Sequence, residues 1–388
     1  MSNKSIDMNM KNHPSNQLLI DLVNCISITP KDAGCQDIIK KRLKNIGFTC
    51  EELNYGEVKN LWATIGNAEG PTLCFAGHTD VVPPGPIEEW RFNPFQATFA
   101  DNSIYGRGTA DMKSGLAAMV VAVEQFIINQ YPFQGRLAFL ITSDEEGPAI
   151  DGTFRVVEEL KKRKEKIDWC IVGEPSSKNY LGDTVRVGRR GSLTGHLNVK
   201  GEQGHVAYPQ FANNPIRLSS PLISTLLGET WDKGSNFFPP TSFEIVSIMS
   251  NSNAVNVIPS EVKIIFNFRY GPCWNYEKIK SHVNDLLASE ALNYEITWRE
   301  SGKPYFTEQG YLTDIVKKVI LDHCGKEPFF STDGGTSDGR YIAPLGTQVI
   351  ELGSLNASIH KINESIPVAG TPELSDIYLK ITKRLFDT

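Results

Sequence analysis

Thr72-Leu-Cys-Phe-Ala-Gly-His78-Thr-Asp80-Val-Val is an apolar, β-compatible run that closes on a glycine, followed directly by a histidine and a carboxylate two positions apart. Alternate side chains of an extended backbone share a face, so the imidazole of His78 and the carboxylate of Asp80 can point the same way. That pair suits a metal ligand and a carboxylate that holds the ring in one tautomer. A lone histidine at a strand end is more often hydrogen-bonded or exposed than ligating, so a metal reading needs further ligands from elsewhere in the chain.

Three further loops carry carboxylates. Tyr105-Gly-Arg-Gly-Thr-Ala-Asp111-Met-Lys-Ser-Gly115 is a glycine-punctuated loop that feeds an apolar helix from Leu116 to Ile128. Asp111 could simply cap that helix, while the glycines, which permit close backbone approach, favour a ligand. Arg136-Leu-Ala-Phe-Leu-Ile-Thr142 is a buried strand that delivers Ser143-Asp144-Glu145-Glu146-Gly147, and Trp169-Cys-Ile-Val-Gly173 ends in Glu174-Pro-Ser. Three apolar strands therefore end in candidate metal ligands, and open α/β sheets bind ligands at the carboxyl ends of their strands. Helices over 16–27 and through 38–46, strands near 48–53 and 59–66, and a helix over 152–166 fill the intervals. The alternation predicts an α/β fold, a mostly parallel sheet sandwiched by helices.

A chain of 388 residues is too long for one ordinary core. After Arg189-Arg190-Gly191 the texture changes to a strand over 192–200, a helix over 213–228, strands over 241–250 and 261–269, a helix over 275–289 and a strand over 293–299. That βαββαβ order is ferredoxin-like and predicts an inserted α+β domain. The expected organisation is a disordered tail over 1–15, a catalytic domain over 16–190 that resumes over 304–388, and the insertion over 191–303. The resumed part holds a helix over 308–323, the loop Asp333-Gly-Gly-Thr-Ser-Asp338-Gly-Arg340, a strand over 348–352 and Asn356-Ala-Ser-Ile-His360.

Bulk properties narrow the partners. Net charge is −6 with no basic stripe, which argues against nucleic acid. No apolar run approaches a membrane span. The seven cysteines contain no C-x-x-C pair, and Cys74 and Cys170 lie inside apolar runs, so reduced thiols and a cytoplasmic setting are expected. The polar first 17 residues lack an export segment.

Of the histidines, His78 and His360 stand near carboxylates and His205 stands in the loop Gly201-Glu-Gln-Gly-His205-Val-Ala-Tyr208-Pro. Histidine and carboxylate without thiolate suit a catalytic zinc site, with cobalt or manganese also compatible. One Asp, two His and two Glu can hold two ions if a single carboxylate bridges them. A further, unliganded carboxylate is then needed to move a proton. Glu145 and Glu146 are adjacent and project differently; spacing leaves open which ligates and which is the base.

With these loops together, Gly77-His-Thr-Asp80, Gly106-Arg-Gly-Thr-Ala-Asp111-Met-Lys-Ser-Gly115, Ser143-Asp-Glu-Glu146-Gly, Val172-Gly-Glu174-Pro and His360-Lys-Ile-Asn-Glu364 resemble the metal-binding motifs of the di-zinc amidohydrolase and exopeptidase family, which includes acetylornithine deacetylase and aminoacylase. Val187-Gly-Arg-Arg-Gly-Ser-Leu193, Gly204-His205-Val-Ala-Tyr208-Pro, Asn267-Phe-Arg269-Tyr and Gly334-Gly-Thr336-Ser-Asp338-Gly-Arg340 resemble its substrate-side motifs. The likeness covers residues 16–388. It implies two zinc ions per subunit, with cobalt able to substitute: one on His78 and Glu174, one on Glu146 and His360, and Asp111 bridging. Glu145 would be the general acid/base and Asp80 would orient His78. The insertion would be a dimerisation lid whose His205 reaches the active site of the other copy in a homodimer. Arg189, Tyr208, Asn256, Arg269, Thr336 and Asn356 match substrate-contacting positions.

Within that family the implied reaction is hydrolysis of the succinyl amide of N-succinyl-LL-2,6-diaminopimelate, in lysine and diaminopimelate biosynthesis. Deacetylation of acetylornithine or removal of a C-terminal amino acid is the alternative on the same scaffold. The three carboxylates of the succinylated compound match guanidinium groups, which bind carboxylates bidentately.

Overall fold

Two seven-residue runs, Thr72–His78 and Arg136–Thr142, are buried from end to end, as strands covered on both faces must be. In the computed structural model, which describes residues 8–289 and 292–387, they lie side by side within an eight-stranded sheet. From one edge the order is Thr49–Glu52, Asn60–Gly66, Arg136–Thr142, Thr72–His78, Trp169–Val172, Gln348–Glu351, Thr184–Arg186 and Phe329–Ser331. The four strands from Arg136–Thr142 to Gln348–Glu351 run parallel, and the first two pair antiparallel. Four neighbouring strands thus end at one edge, and each is followed directly by a loop.

The pleat sorts the side chains of these strands. Leu73, Phe75, Leu137, Phe139, Ile141, Ile171 and Ile350 join a core with Leu116, Met119, Val120 and Val123 of the helix Ser114–Ile128 and with Leu374, Ile377, Tyr378 and Ile381 of the helix Gly370–Phe386. The alternate positions, including Cys74, Ala76 and Cys170, are equally buried. His78 is in phase with them. Helix Thr153–Lys162 packs against the strands Asn60–Gly66 and Arg136–Thr142 through a stripe that includes Val156, Val157 and Leu160.

The chain divides into two units, the second made of Arg189–Tyr305 with Thr332–Thr336. Its four-stranded antiparallel sheet runs Ser242–Ser250, Glu261–Tyr270, Gly191–Lys200, Tyr294–Gly302. In chain order that is second, third, first, fourth, the ferredoxin-like arrangement of a βαββαβ unit. Leu193, Leu197, Val199, Phe266 and Phe268 of the sheet meet Leu222 and Leu226 of the helix Pro215–Gly228 and Ile279, Val283 and Leu287 of the helix Tyr276–Ser289 in a separate core.

The expected tail over 1–15 needs correction. Residues 1–7 lie outside the described residues, but Met8–Lys11 is a helical turn and Pro14–Val23 is a helix capped by His13, whose ring accepts the Ser15 amide at 3.3 Å. Asn16 is buried and donates to the carbonyls of Met10 and Val368. Polar composition hid a capped helix start, with the apolar stripe Leu18, Leu19, Leu22 beginning just beyond it. The helix over 152–166 is shorter than expected, ending at Lys162. Three-residue strands at Thr98–Ala100, Ser103–Tyr105, Thr184–Arg186 and Phe329–Ser331 are too short to show a period, and the helix Gly370–Phe386 was not anticipated. Among the described residues no helix is long and apolar enough to cross a membrane.

Candidate active site

The loops that leave the parallel strands converge. His78 Nε2 lies 3.4 Å from Asp111 Oδ1 and 3.5 Å from Glu174 Oε1. On the other side, His360 Nε2 lies 3.3 Å from Asp111 Oδ2 and 2.9 Å from Glu146 Oε1. The two oxygens of Asp111 are thus divided between the two imidazoles. Donor atoms of His78, Asp111 and Glu146 fall within 4.8 Å of one another, as do those of His78, Glu145 and Glu174. Glu145 stands at the cluster, yet its carboxylate has no hydrogen-bond partner among the described residues.

Backbone groups hold this arrangement. His78 Nδ1 is 2.8 Å from the Asp80 carbonyl oxygen, which as acceptor fixes Nδ1 as the protonated nitrogen and leaves the Nε2 lone pair toward Asp111 and Glu174. The expected role of Asp80 is corrected here: the close orienting bond comes from its backbone carbonyl, and its carboxylate stands 3.6 Å from Nδ1. That carboxylate accepts the amides of Glu145 at 3.3 Å and Glu146 at 3.1 Å, tying the acidic loop to the His78 strand. Asp144, the remaining acid of the run, accepts the amides of Ala149, Ile150 and Asp151 and closes its own loop. Close packing fixes Glu174 as well: a Cβ on Gly353 would stand 2.3 Å from the Glu174 carbonyl oxygen, so the turn after Glu351 can approach only without a side chain.

Electrostatics follow from the crowding. Burial opposes charge on His78, but the carboxylates of Asp111 and Glu174 close to its ring outweigh it and hold its pKa well above the ordinary value. Asp111 is pulled below the usual carboxylate range because the two imidazoles overcome its burial. Asp111 and Glu146 raise His360 to about 10. Burial, then repulsion from Asp111, pushes Glu174 up to about 7, and burial with Glu174 nearby raises Glu145 well above its usual range. A cation that binds here competes with protons for these donors.

The residues fit such a cation. His78 Nε2, Asp111 Oδ1 and Glu174 Oε1 are buried without hydrogen-bond partners, although buried polar atoms ordinarily find one. Donors that share a tetrahedral zinc at ordinary bond lengths stand about 3.3 Å apart, close to the 3.4 and 3.5 Å separations found here. Nitrogen and carboxylate oxygen without sulfur is the donor set of a catalytic site.

The family model for peptidases M20/M25/M40 matches residues 74–384. The chain belongs to peptidase family M20/M25/M40. It is 52% identical over 365 residues, 93% of this chain and 96% of the relative, to the succinyl-diaminopimelate desuccinylase of Hydrogenovibrio crunogenus. The enzyme of that name from Acinetobacter baumannii is 51% identical over 368 residues, 95% of this chain and 97% of the relative. An M20 family metallo-carboxypeptidase from Sulfolobus solfataricus shares the fold, with a TM-score of 0.81 at 18% identity over 95% of this chain and 98% of that one. A dinuclear metal-binding M20 peptidase from Bacillus subtilis does so with a TM-score of 0.70 at 13% identity, over 96% of this chain and 99% of that one.

Seven candidates of this M20 chain remain to be placed. Asn356 comes after the Gln348–Glu351 strand, its amide on Ser177 O at 3.0 Å. The others belong to the second unit. Arg189 is buried and Nη1 donates to the carbonyls of Asp333 at 3.1 Å and Gly335 at 3.0 Å, so it braces the Thr332–Thr336 segment that carries Thr336. Arg269 is half-buried; burial and the neighbouring Arg190 guanidinium lower its pKa. Neither Arg190 nor Arg269 forms an ion pair among the described residues, and Arg190 Nε is buried without a partner. Arg190 is the residue that sequence reasoning passed over, although it stands in the same Arg-Arg-Gly motif. His205, Tyr208 and Asn256 are exposed, and His205 Nδ1 accepts the Ala207 amide at 3.1 Å.

Proposed function

We infer that this M20 hydrolase cleaves the succinyl amide of N-succinyl-LL-2,6-diaminopimelate, releasing succinate and LL-2,6-diaminopimelate in the lysine and diaminopimelate pathway. One observation carries the reading: identity of 50–52% to enzymes named for that step extends over more than nine-tenths of both chains. We further propose zinc as the metal, replaceable by cobalt, with His78 and Glu174 holding one ion, Glu146 and His360 the other, and Asp111 shared. The division of the Asp111 oxygens supports that assignment.

When bound, the ions would supply Lewis-acid polarisation of the amide carbonyl and of water. Glu145 would remove the proton of the attacking water and return it to the departing amine. Its carboxyl is suited to this because burial and nearby acids raise its proton affinity. Asp80 would keep Glu145 and Glu146 in place through their amides. In neutral His205, the amide on Nδ1 leaves the proton on Nε2, a donor suited to a developing oxyanion. Arg269, with Arg190 beside it, would receive substrate carboxylates; Tyr208, Asn256, Thr336 and Asn356 would add neutral hydrogen bonds.

A homodimer in the cytoplasm completes the proposal. Val246, Ile248 and Met249 are more than half exposed on Ser242–Ser250, an edge strand of the second unit's sheet, which supports burial against a second copy. The seven cysteines are all free, in keeping with a reducing compartment. Rates measured side by side on N-succinyl-LL-2,6-diaminopimelate, N-acetylornithine and dipeptides test the substrate. The succinyl amide should dominate in kcat/KM, and preference for either rival overturns the assignment.

A further inference from the structure

We propose that Glu364 is a positioning residue for the metal centre, fixing Asp111 through its backbone while delivering His360 from the same turn. Glu364 is fully buried. Its Oε1 accepts the amides of Ala110 at 2.8 Å and Asp111 at 3.0 Å; its Oε2 accepts the Gly108 amide at 2.9 Å and Arg107 Nη1 at 2.7 Å. The Glu364 carbonyl also accepts the Gly106 amide at 3.0 Å. One carboxylate therefore gathers the loop that carries the bridging acid.

Four residues earlier stands His360. Its φ of 58° and that of Asn363, 63°, are left-handed, a region uncommon for non-glycine residues in which asparagine and histidine are enriched. Arg107 Nη1 reaches the Lys361 carbonyl at 3.2 Å inside the same turn. Glu364 and Arg107 thus set His360 and Asp111 from one anchor, and displacing it moves a ligand on each side of the site. A glutamine at 364 keeps an oxygen for Ala110 and Asp111. Its NH2, however, faces two other donors, the Gly108 amide and Arg107.

The inference rests on the metal-centre reading, and metal affinity measured on the metal-stripped full chain separates the two. Zinc competition against a chelator, cobalt absorption spectra and melting of the metal-free protein are compared for wild type, Glu364→Gln, and Glu364→Gln combined with Arg107→Met. Groups that orient ligands typically change metal affinity by about 10–100-fold, and the single variant should lose that much and alter the cobalt d–d bands. The double variant, freed of a stranded buried cation, should regain metal-free melting temperature without regaining affinity. Wild-type affinity and spectrum in Glu364→Gln, or affinity that recovers in step with melting, overturns the proposal. If the double variant regains neither, the cobalt spectrum of the single variant decides. If wild type binds no metal, both readings fall; if it binds metal without cleaving the succinyl amide, the substrate assignment alone falls.

Discussion

The cluster around Asp111 and the arginines of the second unit treat charge in opposite ways. In the cluster every acid stands against an imidazole or another acid, and the loops that carry them are held by the backbone: Asp80 on the amides of Glu145 and Glu146, Glu364 on those of Ala110 and Asp111. In the second unit Arg190 and Arg269 are neighbouring cations that form no ion pair among the described residues. A cluster with built-in countercharges selects cations by geometry. An uncompensated guanidinium pair lowers its energy when an anion arrives, because like charges side by side disfavour one another.

The largest effect should come from the acid that neither pattern ties down. Glu145→Gln is expected to lower turnover by about 10²–10⁴-fold with metal content unchanged, checked by steady-state kinetics and metal analysis of one preparation. Equal loss of metal would move Glu145 into the ligand set and blur the distinction between bound and free acid. Next, Arg269→Met should raise KM for the succinyl substrate by roughly 10–100-fold, the equivalent of about 1.5–3 kcal/mol for a charged hydrogen bond, with little change in melting. Arg189→Met should do the converse and lower stability, because its guanidinium supports the carbonyls of Asp333 and Gly335. Were Arg269→Met to unfold the protein instead, the contrast between a waiting cation and a bracing one would fail.

Two smaller effects sharpen the comparison. Gly353→Ala places a Cβ 2.3 Å from the Glu174 carbonyl oxygen and should cost about 1–3 kcal/mol of stability, the usual scale of overpacking, read by denaturant unfolding. Glu295→Gln breaks the exposed pair with Lys200 in the second unit and should shift stability by no more than about 1 kcal/mol, as surface ion pairs do.

Much of this was legible because strand ends and ligands coincide in the chain. Thr72–His78, Arg136–Thr142 and Trp169–Val172 are long or apolar enough to show themselves, and cluster residues stand at the last position of the first and within four residues after the other two. The βαββαβ order of the second unit was visible for the same reason, since its strands alternate over nine or ten residues. What stayed hidden is set by backbone geometry. That the Asp80 carboxylate serves the amides of the acidic loop, and that Glu364 gathers amides 253 to 256 positions away, cannot be read from residue types. Nor could spacing reveal that Arg189 is engaged by carbonyls while Arg190 stands beside Arg269.

The most direct measurement is hydrolysis of N-succinyl-LL-2,6-diaminopimelate by metal-stripped protein as zinc is added back. Activity should be absent at the start, rise with zinc and level off as the second equivalent binds. Full activity before any zinc is added, or none once both equivalents are bound, would contradict the account.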